Sequence, residues 1–327
     1  MPQVFVVLTM RIKTPPSIDV LLVNGSDQQC ESSPASTCNT YRLEGLSIGQ
    51  DYMRFEGATL STSLSPSALH IEAILGEGAC SVVKRARHIT THEPYALKIF
   101  PIRNDTMRKT MLEKELRALC CLDCDCLVSL VGSFYDRQAG EITMILEYMD
   151  RGSLLDVMDH HATSAFSAAL NRRVPSTPSG ACALPEAAVA SIAYQMLWGI
   201  GYLHFENIIH RDIKPANVLV NSGGEVKLSD FGIISRRGED CAVIGTTRYM
   251  SPERLRARAY GCSSDVWSFG LVILECALGR SPFENCNSMV ELVLTVEETP
   301  IDQLVPYHLP VPLRELLCGC LHQEPGT

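Results

Sequence analysis

From Leu69 onward the chain alternates short apolar runs with polar or glycine-bearing turns, and the runs at residues 69–75, 80–86 and 94–100 predict strands of an antiparallel meander. Over residues 106–119 the period lengthens to that of a helix, with Met107, Met111, Leu112, Leu116 and Leu119 on one stripe. Glu115 falls inside that stripe, four residues from both Met111 and Leu119, and a carboxylate facing inward wants a partner. Beyond Leu146 the pattern turns mainly helical, with stretches at 187–205 and 264–278 and a weaker one at 288–296. Two β-type runs, 217–220 and 225–229, interrupt it around Asn221-Ser222-Gly223-Gly224, a turn signal that predicts a hairpin inside a helical lobe.

Other segments lack this order. Residues 1–67 join a short apolar start to a polar stretch at 24–40 and are expected to form a flexible extension. Residues 161–183, with Ser, Pro and paired arginines, read as a surface insertion. No internal repeat is present, which argues against a solenoid.

Length and composition then narrow the class. The 327 residues suffice for two folded units or one two-lobed unit, 46% are hydrophobic and 20% charged, and no apolar run reaches the ~18 residues of a membrane span. Lys and Arg number 28 against 37 Asp and Glu, and the net charge of -9 argues against nucleic acid or an anionic membrane as the main partner. The 14 cysteines are scattered, and the apolar run at 4–8 is too short for a secretion signal, so a reducing, cytoplasmic setting is expected. The densest group, Cys120, Cys121, Cys124 and Cys126, has no second ligand pair at zinc spacing and reads as buried or inert thiols.

The candidate chemistry begins at Leu75-Gly76-Glu77-Gly78-Ala79-Cys80-Ser81-Val82-Val83, where glycines let backbone close over a phosphate. No helix follows, which excludes a Rossmann turn, and no Gly-Lys-Ser/Thr closes it, which excludes a Walker loop. Lys98 stands in the apolar run Tyr95-Ala96-Leu97-Lys98 just before the helix that carries Glu115, so an ion pair between them would aim the ammonium at phosphate oxygens. The strongest signal is His210-Arg211-Asp212-Ile213-Lys214-Pro215-Ala216-Asn217, with Asp230-Phe231-Gly232 beginning eighteen residues after Asp212. A hairpin between Asn217 and Ser229 would gather two carboxylates and an amide oxygen at one edge, hard ligands suited to magnesium.

As a set these motifs make the chain, from about Leu69 to its end, resemble a eukaryotic protein kinase. The resemblance implies an α+β, bilobal fold over residues 68–327, with a small antiparallel sheet lobe carrying one helix, a larger helical lobe and ATP between them. It implies that Leu75, Gly76, Glu77, Gly78, Ala79, Cys80 and Ser81 cover the phosphates, that Lys98 and Glu115 pair, and that Asp212 is the catalytic base with Lys214 beside it. Asn217 and Asp230 would bind Mg2+, Glu147 and Met149 would be the adenine-binding hinge behind Leu146, and Val83, Ala96 and Leu219 would sandwich the ring.

Gly245-Thr246-Thr247-Arg248-Tyr249-Met250-Ser251-Pro252-Glu253-Arg254-Leu255, Glu147-Tyr148-Met149-Asp150 and Ser264-Asp265-Val266-Trp267-Ser268 resemble the MAP kinase kinases, which implies a dual-specificity enzyme acting on the activation loop of a MAP kinase. Asp265, opening an apolar helix, reads as a structural acid that braces the catalytic loop. Three departures stand out. Ser81 occupies the place of a third glycine; Gly238 and Ala242 fall at the family's phosphoacceptor positions, leaving Glu239 with Asp240, or phosphorylated Ser235 or Thr247, to satisfy Arg211; and the pattern stops at Thr327, short of an arginine that would pair with Glu253. Arg11 and Lys13 ahead of Ile18, Val20, Leu21 and Val23 resemble a MAP kinase docking peptide. An upstream activating kinase is a further implied partner, and a nucleotide-binding scaffold without catalysis is the competing reading.

Overall fold

The computed structural model describes residues 40–43, 46–50, 53–55, 58–60, 64–78, 80–102, 106–172, 184–236 and 247–322. The docking-type peptide at 11–23, Ala79, residues 238–242, Gly245 and Thr246 lie outside them.

The meander from Leu69 forms as expected. Strands β5 (Leu69–Glu77), β6 (Val82–His88), β7 (Pro94–Pro101), β8 (Leu130–Asp136) and β9 (Glu141–Glu147) build one antiparallel sheet in the order β5-β6-β7-β9-β8. Helix α1 (Thr106–Cys121) fills the crossover between β7 and β8 and buries Leu112, Glu115, Leu116 and Leu119, the stripe read from the sequence.

Four three-residue strands precede this sheet: β1 (Tyr41–Leu43), β2 (Leu46–Ile48), β3 (Met53–Phe55) and β4 (Ala58–Leu60), an antiparallel meander in sequence order. The expectation of a flexible extension therefore fails over this stretch. Leu46, Ile48 and Met53 are fully buried against β8, where Ser133 Oγ donates to Met53 Sδ at 2.8 Å and the Tyr135 N–H donates to the Gly49 carbonyl at 2.9 Å. Each strand is too short to show a period of its own, and the burial of Leu46, Ile48 and Met53 depends on β8, some 80 residues further along.

The larger lobe holds α2 (Leu154–Arg172), α3 (Glu186–Phe205), α4 (Pro252–Leu255), α5 (Cys262–Leu278), α6 (Met289–Glu298), α7 (Ile301–Leu304) and α8 (Val311–Cys320). Its hairpin pairs β11 (Val218–Val220) with β12 (Val226–Leu228), and β10 (Ile208–Ile209) pairs with β13 (Ser235–Arg236). Helix α2 starts where Asp156 Oδ2 accepts from both the Ser153 N–H and Oγ, a reciprocal cap on the residue after Gly152, whose φ of 74° requires glycine. It continues to Arg172, so the first half of the stretch read as a surface insertion is helical, because its alanines favour helix despite the intervening serines. Residues 173–183 of that stretch lie outside the described residues.

One apolar core spans both lobes, from Leu116 and Met144 through Leu228 and Phe231 to Phe269 and Leu274. The strand pair β11–β12 thus sits under the small lobe, and the residues flanking it open at the junction.

Candidate active site

Lys98 is placed by register. Its β7 position lies opposite Val83 on β6 and Met144 on β9, so its side chain leaves the sheet toward α1. There Nζ lies 2.5 Å from Glu115 Oε1 and 3.3 Å from Asp230 Oδ1. Glu115 is 3% exposed, so the partner its inward stripe position demanded is this ammonium. Burial alone would pull the Lys98 pKa down, but the Glu115 and Asp230 carboxylates outweigh it and hold the amine above its ordinary range, fully charged. A Cβ added to Gly232 would stand 3.6 Å from Glu115, Asp230 and Met111, which measures how closely α1 is seated on the Asp230-Phe231-Gly232 turn.

The catalytic-loop residues converge from both sides of a buried brace. Asp265, 1% exposed near the start of α5, accepts from the His210 N–H at 2.8 Å, the Arg211 N–H at 2.9 Å and His204 Nε2 at 2.9 Å. Those bonds hold Arg211 at φ 73° and set the direction in which Asp212 leaves the loop. His210 Nδ1 accepts from the Asp212 N–H, its Nε2 donates to the Ser229 carbonyl, and its ring packs 5.6 Å from that of Phe231. Lys214 Nζ lies 2.7 Å from Asp212 Oδ2, and Asn217 Nδ2 donates to the same oxygen at 2.8 Å and to the Asp212 carbonyl at 2.9 Å. Asp212 Oδ2 is thereby fixed, and the amide oxygen of Asn217 is left for a cation.

Asp230 follows β12 with φ 67°, a left-handed turn that directs its carboxylate to the Lys98 side of the junction. Burial alone would raise its pKa, yet Lys98, His210 and Lys214 together more than offset that and keep the carboxyl below its ordinary range. An ionised Asp230 and the Asn217 amide oxygen form a hard-oxygen donor pair that fits Mg2+, which takes few protein ligands and completes its shell with phosphate oxygens and water.

The glycine-rich segment places Leu75, Gly76 and Glu77 at the end of β5 and Gly78, Cys80 and Ser81 in the turn, closed by the Gly78 N–H donating to the Ser81 carbonyl at 2.8 Å. Ala96 lies opposite Leu146 in register, and Leu219 bridges to Ser153 next to the Glu147–Met149 segment. Sequence reasoning missed Lys227, which takes both oxygens of Glu147 at 2.8 and 2.9 Å; Glu147 Oε1 also accepts from the Ser129 N–H. The Glu147 side chain is therefore committed within the protein, and a ligand contact there falls to its main chain. A lysine inside the apolar run Val226–Leu228 was the available signal, of the same kind as Lys98.

Three of the positions singled out around the activation segment are described. Ser235 is 4% exposed in β13, while Thr247 is exposed. Arg211 is 2% exposed, stacked 5.5 Å from the Tyr260 ring, with Nε and Nη2 unpaired among the described residues. Glu253 Oε1 is also buried without a hydrogen-bond partner among them.

Comparisons with known proteins agree with this geometry. Residues 69–327 match the family described as the protein kinase domain. The chain is similar to mitogen-activated protein kinase kinase 2 of Arabidopsis thaliana, 34% identical over 81% of this chain and 70% of that protein. It is also similar to mitogen-activated protein kinase kinase 1c of Physcomitrium patens, 40% identical over 68% of this chain and 60% of that protein. Dual specificity mitogen-activated protein kinase kinase 1 of Dictyostelium discoideum is 38% identical over 66% of this chain, which spans 30% of that relative's length. The chain belongs to the protein kinases, and within them to the mitogen-activated protein kinase kinases. Among the described residues no helix is long and apolar enough to cross a membrane.

Proposed function

We propose that the chain is a cytoplasmic, ATP- and Mg2+-dependent kinase that phosphorylates Ser/Thr and Tyr hydroxyls in the activation loop of a MAP kinase. The observation that carries this reading is the joint state of the site: Lys98 is closed onto Glu115, Asp230 stands next to it, and Asp212 is held by Lys214 and Asn217. ATP with Mg2+ supplies the transferable phosphoryl group and neutralises phosphate charge. Lys98 presents a fixed cation to phosphate oxygens, and Glu115 keeps it from wandering. Asp212 orients the incoming hydroxyl and takes its proton, while Lys214 balances the charge that develops on the transferring group. Asn217 and Asp230 offer the metal its protein oxygens. The main chain at Glu147 and Met149 borders the adenine site, and Val83, Ala96 and Leu219 give the ring apolar faces.

The Arg211 Nε and Nη2, without a hydrogen-bond partner among the described residues, call for an anion, supplied by Glu239 and Asp240 or by a phosphate that an upstream kinase adds; exposed Thr247 suits that role better than buried Ser235. The test is ATP-dependent phosphorylation of a panel of inactive MAP kinases, with phosphosites read by mass spectrometry and Asp212→Asn as control. Incorporation on threonine and tyrosine of one panel member, lost in Asp212→Asn, is expected. Nucleotide binding without transfer to any member would overturn the reading in favour of a scaffold.

A further inference from the structure

The outer face of α3 carries no charge. After Glu186 every exposed position of the helix through Phe205 is uncharged, although the whole chain has a net charge of -9. The inner face, with Val189, Ile192, Met196, Ile200 and Leu203, is buried in the core, so the helix is apolar all round, the pattern of a helix covered on every side. Yet the large side chains of the outer face stand in solvent: Tyr194 is 50% exposed, Leu197 38%, Trp198 40% and Phe205 79%. Scattered exposed hydrophobics are ordinary, but these follow one another at helical spacing, and the Tyr194 and Trp198 rings stack with centroids 6.4 Å apart.

We propose that this face is a homodimerisation surface, on which two copies of the chain pack α3 against α3, antiparallel, about a two-fold axis at Tyr194. Size is distributed along the face as such an axis requires. The first turns present only Ala187, Ala190 and Ser191 to solvent, and the bulk comes later. With Tyr194 on the axis, Ala190 of one copy lies opposite Trp198 of the other and Ser191 opposite Leu197, and each contact occurs twice. Large side chains thus enter the space that small ones leave, as ridges enter grooves between packed helices.

Charge and area both favour a second copy as the occupant. A strongly acidic or basic partner finds no opposite charge on this face, whereas two uncharged faces meet without stranding a carboxylate or an ammonium. Glu186, the one acid at the edge, falls opposite Tyr202, which is uncharged. At roughly 200 Å² per aromatic side chain, the exposed shares of Tyr194, Trp198 and Phe205 come to roughly 340 Å² per copy. Two copies, with Leu197 and the small residues added, reach about 1,000 Å², the lower bound of a specific interface, which predicts a dimer of micromolar affinity.

Sedimentation of the full chain from about 1 to 100 μM tests this, with the mass expected to rise from one chain to two over that range. Ala190→Glu and Trp198→Lys should each weaken association by about tenfold or more. Their equimolar mixture should recover it, because the acid introduced in one copy faces the amine introduced in the other while the second Ala190–Trp198 contact stays native. Tyr194→Arg sets two like charges together at the axis and should leave a single chain at every concentration, and because position 194 is half exposed it tests the surface even if Trp198→Lys folds poorly. A single-chain mass for the parent at 100 μM, as when another segment of the chain or a different protein covers the face, would overturn the proposal. So would a dimer indifferent to Tyr194→Arg, or a mixture of the two folded charge variants that stays monomeric. None of these readouts requires phosphate transfer, so failure here is separate from failure of the kinase reading.

Discussion

Glu147 holds Lys227 with both carboxylate oxygens, at 2.8 and 2.9 Å, and so joins the last residue of β9 to the middle of β12 across the two lobes. Lys227 is 7% exposed and the Glu147 side chain 26%, so the pair lies between a surface bridge and a buried one. Replacing Lys227 by Met strands the carboxylate with the Ser129 N–H alone and is expected to cost about 2 kcal/mol, less than the roughly 3–5 of a fully buried pair because water reaches Glu147. Glu147→Gln keeps an acceptor for Lys227 and should cost less than Lys227→Met, with nucleotide affinity unchanged. Thermal melting with and without nucleotide checks both; equal melting of Lys227→Met and the parent chain would remove the pair from the account of lobe cohesion.

Asp265 carries a pH signature. Burial raises its pKa, but the hydrogen bond with His204, the neighbouring histidines and the Arg211 N–H together more than offset that, and the net value lies below the ordinary carboxylate range. A carboxyl depressed by folding adds stability that is present above its unfolded value of about 3.9 and is lost as pH falls through the folded value. Asp265→Asn turns an acceptor into a donor toward one of two backbone N–H groups and is expected to lower stability by about 3 kcal/mol at pH 7. The gap between parent and variant in urea midpoint should narrow below about pH 4. A gap that stays constant from neutral to acid pH would show that its source is shape and not charge.

Helix α3 allows a paired test of packing. A Cβ on Gly199 would stand 3.0 Å from the Cys126 carbonyl and 3.1 Å from Leu228, whereas Gly201 has nothing within 4 Å. Gly199→Ala is expected to destabilise by about 1–3 kcal/mol through overpacking, and Gly201→Ala to stabilise by up to about 1 kcal/mol through helix propensity. Opposite shifts in melting temperature within one helix are the expected result; shifts of the same sign would refute the close approach at Gly199.

The residues legible in the sequence were those that break their own local pattern. Glu115 interrupts an apolar stripe, Lys98 interrupts an apolar strand, and Asn217 and Asp230 bracket a turn-marked hairpin, so each announced a need that only a partner elsewhere could meet. Lys227 breaks the pattern in the same way, but its run is three residues long and the carboxylate it pairs with, Glu147, is 80 residues away. Strands β1 to β4 carry no such mark, because a three-residue strand shows no period and Met53 acquires its partner only once β8 is in place. His204 sits in a helix that is apolar on several faces, and nothing nearby foretells that its ring will close on Asp265.

The Lys98 ammonium is shared between Glu115 and Asp230, at 2.5 and 3.3 Å, and that asymmetry makes Glu115→Gln informative. With the closer charge neutralised, Lys98 is drawn toward Asp230, which is also the candidate metal ligand. The variant should therefore lose transfer rate in two ways, through a misplaced cation and through competition between Lys98 and Mg2+ for one carboxylate. We expect kcat to fall by about 10- to 100-fold, the scale of a misplaced positioning group, and half-maximal rate to need more Mg2+ than in the parent chain. Lys98→Met removes the cation altogether, so its kcat should fall at least as far while its Mg2+ requirement does not rise. Steady-state rates over a Mg2+ titration at saturating ATP distinguish the two, and an unchanged Mg2+ requirement in Glu115→Gln would show that Asp230 does not share Lys98 with the metal.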